Sequence, residues 1–513
     1  MMGPHAVRHR GLVTVSIMLA TIMQALDTTI ANVALPYMQG SLSAAQDQIA
    51  WVLTSYIVAA AIVTPLTGWL AARFGRKRIF LISVAGFTVA SMACGAATSL
   101  AQIVAFRLLQ GVAGAALVPL SQAVLLDINP REKHGSAMAI WGAGIMVGPI
   151  LGPTLGGWLT DNYNWRWVFY INLPVGILAF MGILAFVSET PANRKQPFDL
   201  FGFAFLSLAV GAIQMMLDRG EQKDWFGSQE IVIEAALGLI GLWVFAVHCA
   251  TTKRPFLHPA LLRDRNFVTS VIFMFIAGAV MYSTLALLPP MLTMLNYPVV
   301  TTGILMSPRG ITTMICMMIV GRLIGRVDIR IILSFGFIVT GLSMWQMTRY
   351  SPEMDRWPVI IAGLTQGAGL GFVFVPLSTV AFATLPTELR TEGSGIFSLL
   401  RNIGGSIGIS VVEAMLDRNI QVNHSELVQG INPYNAALQL PALHDYLSLD
   451  TLTGLARLDQ MVNGQAAMIA YVDDFRLMML VCFAALPLLL FMRPSRRKRT
   501  EAETEAATAA AME

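Results

Sequence analysis

The sequence predicts an all-α polytopic membrane protein of fourteen transmembrane helices, arranged as two pseudo-symmetric six-helix bundles plus two inserted helices. Three observations predict it. The 513-residue chain is 55% hydrophobic and 12% charged, with a mean hydropathy of +0.64, where a soluble domain carries roughly 25% charged residues. Apolar stretches near 20 residues, the length that crosses about 30 Å of hydrocarbon, recur along the chain. Motifs of the first half also return in the second. This composition excludes a soluble enzyme, a disordered regulator and a secreted disulfide scaffold. Cys94, Cys249, Cys316 and Cys482 stand singly within apolar runs, which argues against a cysteine metal site.

The stretches fall at 12–36, 49–71, 79–98, 102–126, 136–158, 167–187, 200–217, 229–249, 267–288, 302–325, 331–348, 358–380, 393–416 and 475–492. They divide into an N-terminal bundle (1–190), two additional helices (191–255), a C-terminal bundle (256–492) and a tail (493–513). With the N-terminus cytoplasmic, about 22 Lys/Arg fall in cytoplasmic segments, about 7 in external ones and about 5 within helices. Both termini are therefore expected in the cytoplasm. Residues 417–474, rich in Asp and Glu, read as an external polar loop.

In chain order, the first helix carries Asp27 midway, within ALDTTIANVALP at 25–36, with Asn32 one turn further on. A charge at membrane depth costs roughly 2.5–3.5 kcal/mol on insertion scales. A desolvated carboxyl there either carries a coupling proton or is a fixed acid held by Thr28, Asn32 or a neighbouring Arg. Between the second and third helices, GWLAARFGRKR at 68–78 offers Gly68, Arg73, Gly75 and Arg76. These cations obey the positive-inside rule, and they can also meet helix ends or an acid as a conformational latch. In the fourth helix Arg107 precedes Gln110; an Arg keeps its proton, so it is either a fixed positive partner that tunes a carboxylate or attracts water, or a lipid-facing, snorkelling side chain. The fifth helix holds Gly144, Gly148, Pro149, Gly152 and Pro153, a smooth, bendable face suited to a moving interface.

The run LLQGVAGAALVPLS at 108–121 returns as LTQGAGLGFVFVPLS at 364–378, and 68–76 is echoed by GRLIGRVDIR at 321–330, which supplies Asp328. Both offsets are near 255 residues, as a duplicated transporter unit requires. Of the remaining charges in the membrane, Arg309 follows Pro308 and is expected to satisfy freed backbone groups. Arg401 and Glu413 share the thirteenth helix, about 18 Å apart by helical rise, so each must find a partner on another helix or open onto water; Glu413 is either a coupling or cation-binding acid or an interfacial acid joining the acidic loop.

Together these residues resemble the major facilitator superfamily, and within it the fourteen-helix drug:proton antiporters of the EmrB/QacA type. The resemblance covers about 12–492 and rests on 25–36, 68–78, 107–114, 144–157 and WRWVFYINLP at 165–174; LDRG at 217–220 and DWF at 224–226 lean towards the EmrB branch. It implies the major facilitator fold, a bacterial inner-membrane location, and export of lipophilic small molecules driven by the proton motive force with no cofactor. It also implies Asp27, Arg107 and Glu413 as proton-coupling residues, and a periplasmic adaptor and outer-membrane channel as partners. Asn32, Gln110, Gly144, Gly148, Pro149, Gly152, Pro153 and Arg401 are cavity or gating candidates. The chain departs from the pattern at Ala72, where the family's loop carries an acid; Asp328 offers one in the second copy. An exporter dedicated to one metabolite, such as a fatty acid, fits the same scaffold, and a ligand-binding sensor without transport is the alternative from another class. No catalytic cluster, GxxxxGK[ST] phosphate loop or nucleic-acid patch occurs.

Overall fold

A computed structural model describes residues 9–492, apart from 191, 194–196, 254, 433, 436, 437, 439 and 441–446. Arg8, Arg194, Lys195, Arg254, Asp445 and the tail 493–513, all used above for orientation or domain limits, lie outside the described residues. The helices are α1 Arg10–Ser41, α2 Trp51–Val63 with Leu66–Phe74, α3 Arg76–Ala96, α4 Leu100–Ile128, α5 His134–Asn162, α6 Trp167–Phe186 and α7 Leu200–Arg219. There follow α8 Gln229–Thr251, α9 Arg265–Met294, α10 Val299–Leu323, α11 Ile329–Met347, α12 Arg356–Ala383, α13 Arg390–Gln429 and α14 Leu452–Ala485. Thirteen are single spans, and α2 makes the fourteenth as a pair bent by 57°. The bend sits at Pro65, which lacks a backbone donor. The Thr64 hydroxyl also donates back to the Ala60 carbonyl (2.6 Å) there, which bends helices further.

Every sequence-predicted span is present, but two are longer than their apolar cores. Helix α13 continues to Gln429 and α14 begins at Leu452, so 417–429 and 452–474 of the expected loop are helix. At 1.5 Å per residue the 40 residues of α13 extend about 60 Å, twice the hydrocarbon thickness. Hydropathy sees only the apolar part of such a helix. The extensions pack on each other instead: Leu458 and Val462 are buried, and Asn423 donates to the Ala466 carbonyl (3.4 Å). Asp474, which sequence placed in the loop, is 0% exposed within α14.

We call the end with Arg10 and residues 68–78 the basic end and the opposite one, with 417–474, the acidic end. The apolar cores differ between them. One cluster towards the basic end joins both halves, Phe80, Leu120, Val124 and Met138 packing with Phe267, Phe337, Phe382 and Phe397. At the acidic end each half has its own core. The first contains Leu26, Ile30, Val52 and Trp165, the second Leu287, Met291, Met344 and Phe475. Helix α13 packs against the Leu66–Phe74 piece of α2, while the Trp51–Val63 piece packs on the inserted α7.

Helix α5 runs through Pro149 and Pro153 and serves two neighbours. Its glycine face meets α1: a Cβ on Gly144 would strike Met18, on Gly148 the Ala25 carbonyl group at 2.5 Å, and on Gly152 Thr29. Another face meets α10, through Gly142 on Met317, Ile150 on Gly310, and Pro153 on Gly303. Gly148→Ala is therefore expected to lower the melting temperature, by about 1–3 kcal/mol of overpacking, because the obstacle is backbone. Gly157→Ala, with nothing within 4 Å of the added carbon, should melt like the unaltered protein.

Candidate functional site

Asp27 lies in the middle of α1 with 1% of its side chain exposed, paired with Arg107 of α4, equally buried, at 2.6 Å. Burying two charges is unfavourable unless their remaining hydrogen-bonding positions are filled, and here they are. Gln110 Nε2 (2.8 Å) and Asn172 Nδ2 (2.9 Å) donate to Asp27 Oδ1, and Arg107 Nη1 to Oδ2. Arg107 also donates through Nε to the Val52 carbonyl (3.0 Å) and through Nη1 to Gln110 Oε1 (2.9 Å), and lies 4.3 Å from the centre of the Tyr56 ring. Asn172 donates on to Ser91 Oγ (2.9 Å), which donates to the Phe169 carbonyl (2.9 Å). Five helices, α1, α2, α3, α4 and α6, are thus tied to one carboxylate. The break of α6 at Ile171 places Asn172 at the start of its second piece, pointing inwards.

The arrangement has one evident chemical property. A carboxylate accepting from three donors and facing a permanent cation is acceptor-only; a proton on it removes an acceptor site and the charge opposite Arg107 together. Protonation therefore disturbs the contacts that α4 and α6 make to α1, and through Arg107 and Asn172 it reaches α2 and α3. Of the expected neighbours, Asn32 is exposed and Thr28 donates to the Ala25 carbonyl of its own helix (3.0 Å). Neither holds Asp27.

A second polar constellation lies at the basic end. Asp127, at the end of α4, takes Arg76 on one oxygen and Arg390 of α13 on the other (2.9 Å). Arg76 Nη2 also donates to the Thr387 carbonyl (3.0 Å). One acid of the first half thus binds a cation from each half. Ser394 of α13 donates to Gln122 of α4 nearby, both buried. Gly75 adopts φ +93°, and a Cβ there would enter the Glu189 carboxyl. Glu189 accepts the backbone N–H groups of Lys77 and Arg78 (both 3.2 Å) at the positive end of α3. Arg73 lies over the Trp69 ring (5.0 Å), and Gly68 abuts Glu392 of α13, with a Cβ only 2.7 Å from its Cα. Asp328 instead caps α11, accepting from the Arg330 N–H (2.9 Å).

In the second half, Arg401 bonds to Asn402 Oδ1 (3.3 Å). Arg309 differs from expectation: it donates not to its own helix but to the Met281 carbonyl of α9 (3.2 Å). Glu413 faces Glu221 and Asp417 at the acidic end; burial and the hydrogen bond with Asp417 push the Glu221 carboxyl above its ordinary range. The candidates fall at separate places. Asp27, Arg107 and Gln110 come together, Arg76, Gly75 and Gly68 lie at the basic end, and Glu413 lies with Glu221 and Asp417 at the acidic end. Sequence reasoning did not single out Asn172, Ser91, Tyr56, Asp127 or Glu189. Asn172 stood inside a recognised motif, and Asp127 was readable as the acid closing the fourth span.

A family model described as Major Facilitator Superfamily matches residues 17–409. The chain is 36% identical to the multidrug export protein EmrB of Haemophilus influenzae, over 94% of this chain and 96% of that one. It is likewise 36% identical to EmrB of Escherichia coli, covering 89% and 88%. The fatty acid resistance protein FarB of Neisseria gonorrhoeae is 37% identical, covering 84% and 86%. Among solved structures, the human organic anion transporter MFSD10 superposes with a TM-score of 0.58 at 13% identity, over 92% of this chain and 99% of that one, a likeness of fold.

Proposed function

Since the chain belongs to the major facilitator superfamily, among its EmrB-like drug exporters, and is a multi-pass bacterial inner-membrane transporter rather than an enzyme, we propose that it exports lipophilic and amphipathic compounds in exchange for protons. The observation that carries this reading is the fully buried Asp27 bound to donors from α4 and α6. Lys/Arg placement supports a cytoplasmic basic end with both termini on that side. The shared core and the Arg76–Asp127–Arg390 bridge support a state closed to the cytoplasm, in which protons reach Asp27 from outside. Protonation removes the charge that holds Arg107, the five-helix network rearranges, and the bundles reopen at the basic end. There Asp27 gives up its proton and substrate enters. Return to the closed state re-forms the pair and delivers substrate outwards. No cofactor takes part; the driving force is the proton gradient.

The helical extensions 417–429 and 452–474 would rise above the outer membrane surface as a packed pair. They give a periplasmic adaptor, and through it an outer-membrane channel, a rigid place to dock. The test is uptake of ethidium into inverted vesicles acidified inside by respiration. Uptake should follow the pH difference and collapse when ammonium dissipates it; uptake indifferent to the gradient would refute coupling. Identity to FarB favours a second reading, an exporter dedicated to fatty acids, distinguished by vesicles that move laurate and not ethidium.

A further inference from the structure

The repeat invites comparison of the two halves around their shared glutamine. Gln110 of α4 corresponds to Gln366 of α12, and three residues before it the first half has Arg107 where the second has Gly363. A guanidinium is nevertheless present there. It comes from Arg309 of α10, whose Cβ lies 3.7 Å from the place a Cβ on Gly363 would take, and whose carbonyl abuts Gly367. Arg309 is 7% exposed, yet only Nη2 is engaged, by Met281, and Nη1 has no protein partner. Gln366, 0% exposed, donates to Thr284 Oγ1 (2.9 Å), and its Oε1 is unpartnered.

The halves also differ in charge. Arg107 faces Asp27, whereas α9, α10, α11 and α12 contain no Asp or Glu at all. A permanent cation in such a setting calls for an anion from elsewhere. Around these polar groups Val280, Leu305 and Ala362 of the same three helices are buried in the second half's core. A half-turn of the Gln366 amide, with the Thr284 hydroxyl swung from the Val280 carbonyl (2.8 Å) to Oε1, would present its NH₂ to an anion.

We propose that the junction of α9, α10 and α12 binds the anionic head of a lipophilic acid, with Arg309 as the charge-reading residue and Gln366 as a second donor. This deepens the export reading, on which it rests for the direction of movement; the binding itself needs no gradient. The test is equilibrium binding of laurate and of methyl laurate, the same chain without the charge, to the purified full-length protein in nanodiscs, with protein-free discs as blank.

The unaltered protein should prefer laurate by about tenfold or more, the scale of a charge-assisted contact. Arg309→Gln should remove that preference while Arg309→Lys keeps it within about threefold. Gly363→Asp, which supplies an internal carboxylate beside Arg309, should also abolish it. Equal binding of acid and ester, binding of neither, or a preference that survives Arg309→Gln would overturn the proposal. The first comparison uses the unaltered chain and does not depend on a variant folding. Vesicles that transport nothing, with the Arg309-dependent preference intact, would refute the export reading and leave this site standing.

Discussion

Asp27→Asn is expected to abolish proton-driven efflux, by on the order of 100-fold or more, the factor that about 3 kcal/mol represents. The asparagine keeps the size of the acid but has one acceptor oxygen. Gln110 and Asn172 both donate to Oδ1 and Arg107 to Oδ2, so one donor must meet the new NH₂ group. Arg107 is left buried and uncompensated, a loss of about 3–5 kcal/mol when one member of a buried pair is removed. Asp27→Asn should therefore melt earlier as well as fail to couple. Adding Arg107→Gln should restore most of the stability, because the unpaired charge is gone, and none of the transport. That pairing separates the two roles: a purely structural ion pair predicts that the double variant recovers transport along with stability. Gradient-driven ethidium uptake by Asp27→Asn at matched expression would instead move coupling to another carboxyl, with Glu413 the first to examine.

What sequence could and could not reveal here follows from the range of the interactions. Spans were legible because hydropathy is a local property, and so was the register of the repeat. Asp27, Arg107 and Gln110 were legible because a charge at membrane depth stands out on its own helix. Asn172 was not, because an amide carries no comparable cost, and its importance lies in reaching Asp27 from a helix 145 residues away in sequence. The extensions of α13 and α14 were misread as loop for a related reason. Their polar residues face outwards over an apolar seam made of Leu458 and Val462, so a window average sees only polarity. The acid that the family's loop carries is absent at Ala72. The chain supplies that acid on α4, a position that only the packing of α2, α4 and α13 brings beside Arg76. Asp328 remained attractive in sequence because the repeat pointed to it, but a residue at a helix start has a local use, and capping α11 is that use.

Asp127→Asn should open the basic end and slow transport about tenfold. Asp127 is a carboxylate shared by two guanidiniums, with side-chain exposures of 10% for Arg76, 21% for Asp127 and 6% for Arg390. At that burial the pairs are screened less than surface ion pairs. Hydrogen bonds to charged groups contribute about 1.5–3 kcal/mol each, and Asp127 makes one to each half. Without its charge, Arg76 and Arg390 repel each other across the very contact that joins the bundles, so attraction is replaced by repulsion. A shift of this size moves a two-state equilibrium by one to two powers of ten. It can be read with spin labels at Lys133→Cys and Arg326→Cys, exposed positions on opposite halves at the basic end, in a chain whose native cysteines are replaced. The separation found in the closed structure should lose population to a longer one. Neutralising all three residues should recover part of the closed population, since the repulsion disappears along with the bridge. Glu221→Gln, at the other end, should leave this distance distribution unchanged. If Asp127→Asn also leaves it unchanged, the bridge is not what holds the basic end shut. The apolar contacts of Phe80, Val124, Phe382 and Phe397 would then have to supply the closure alone.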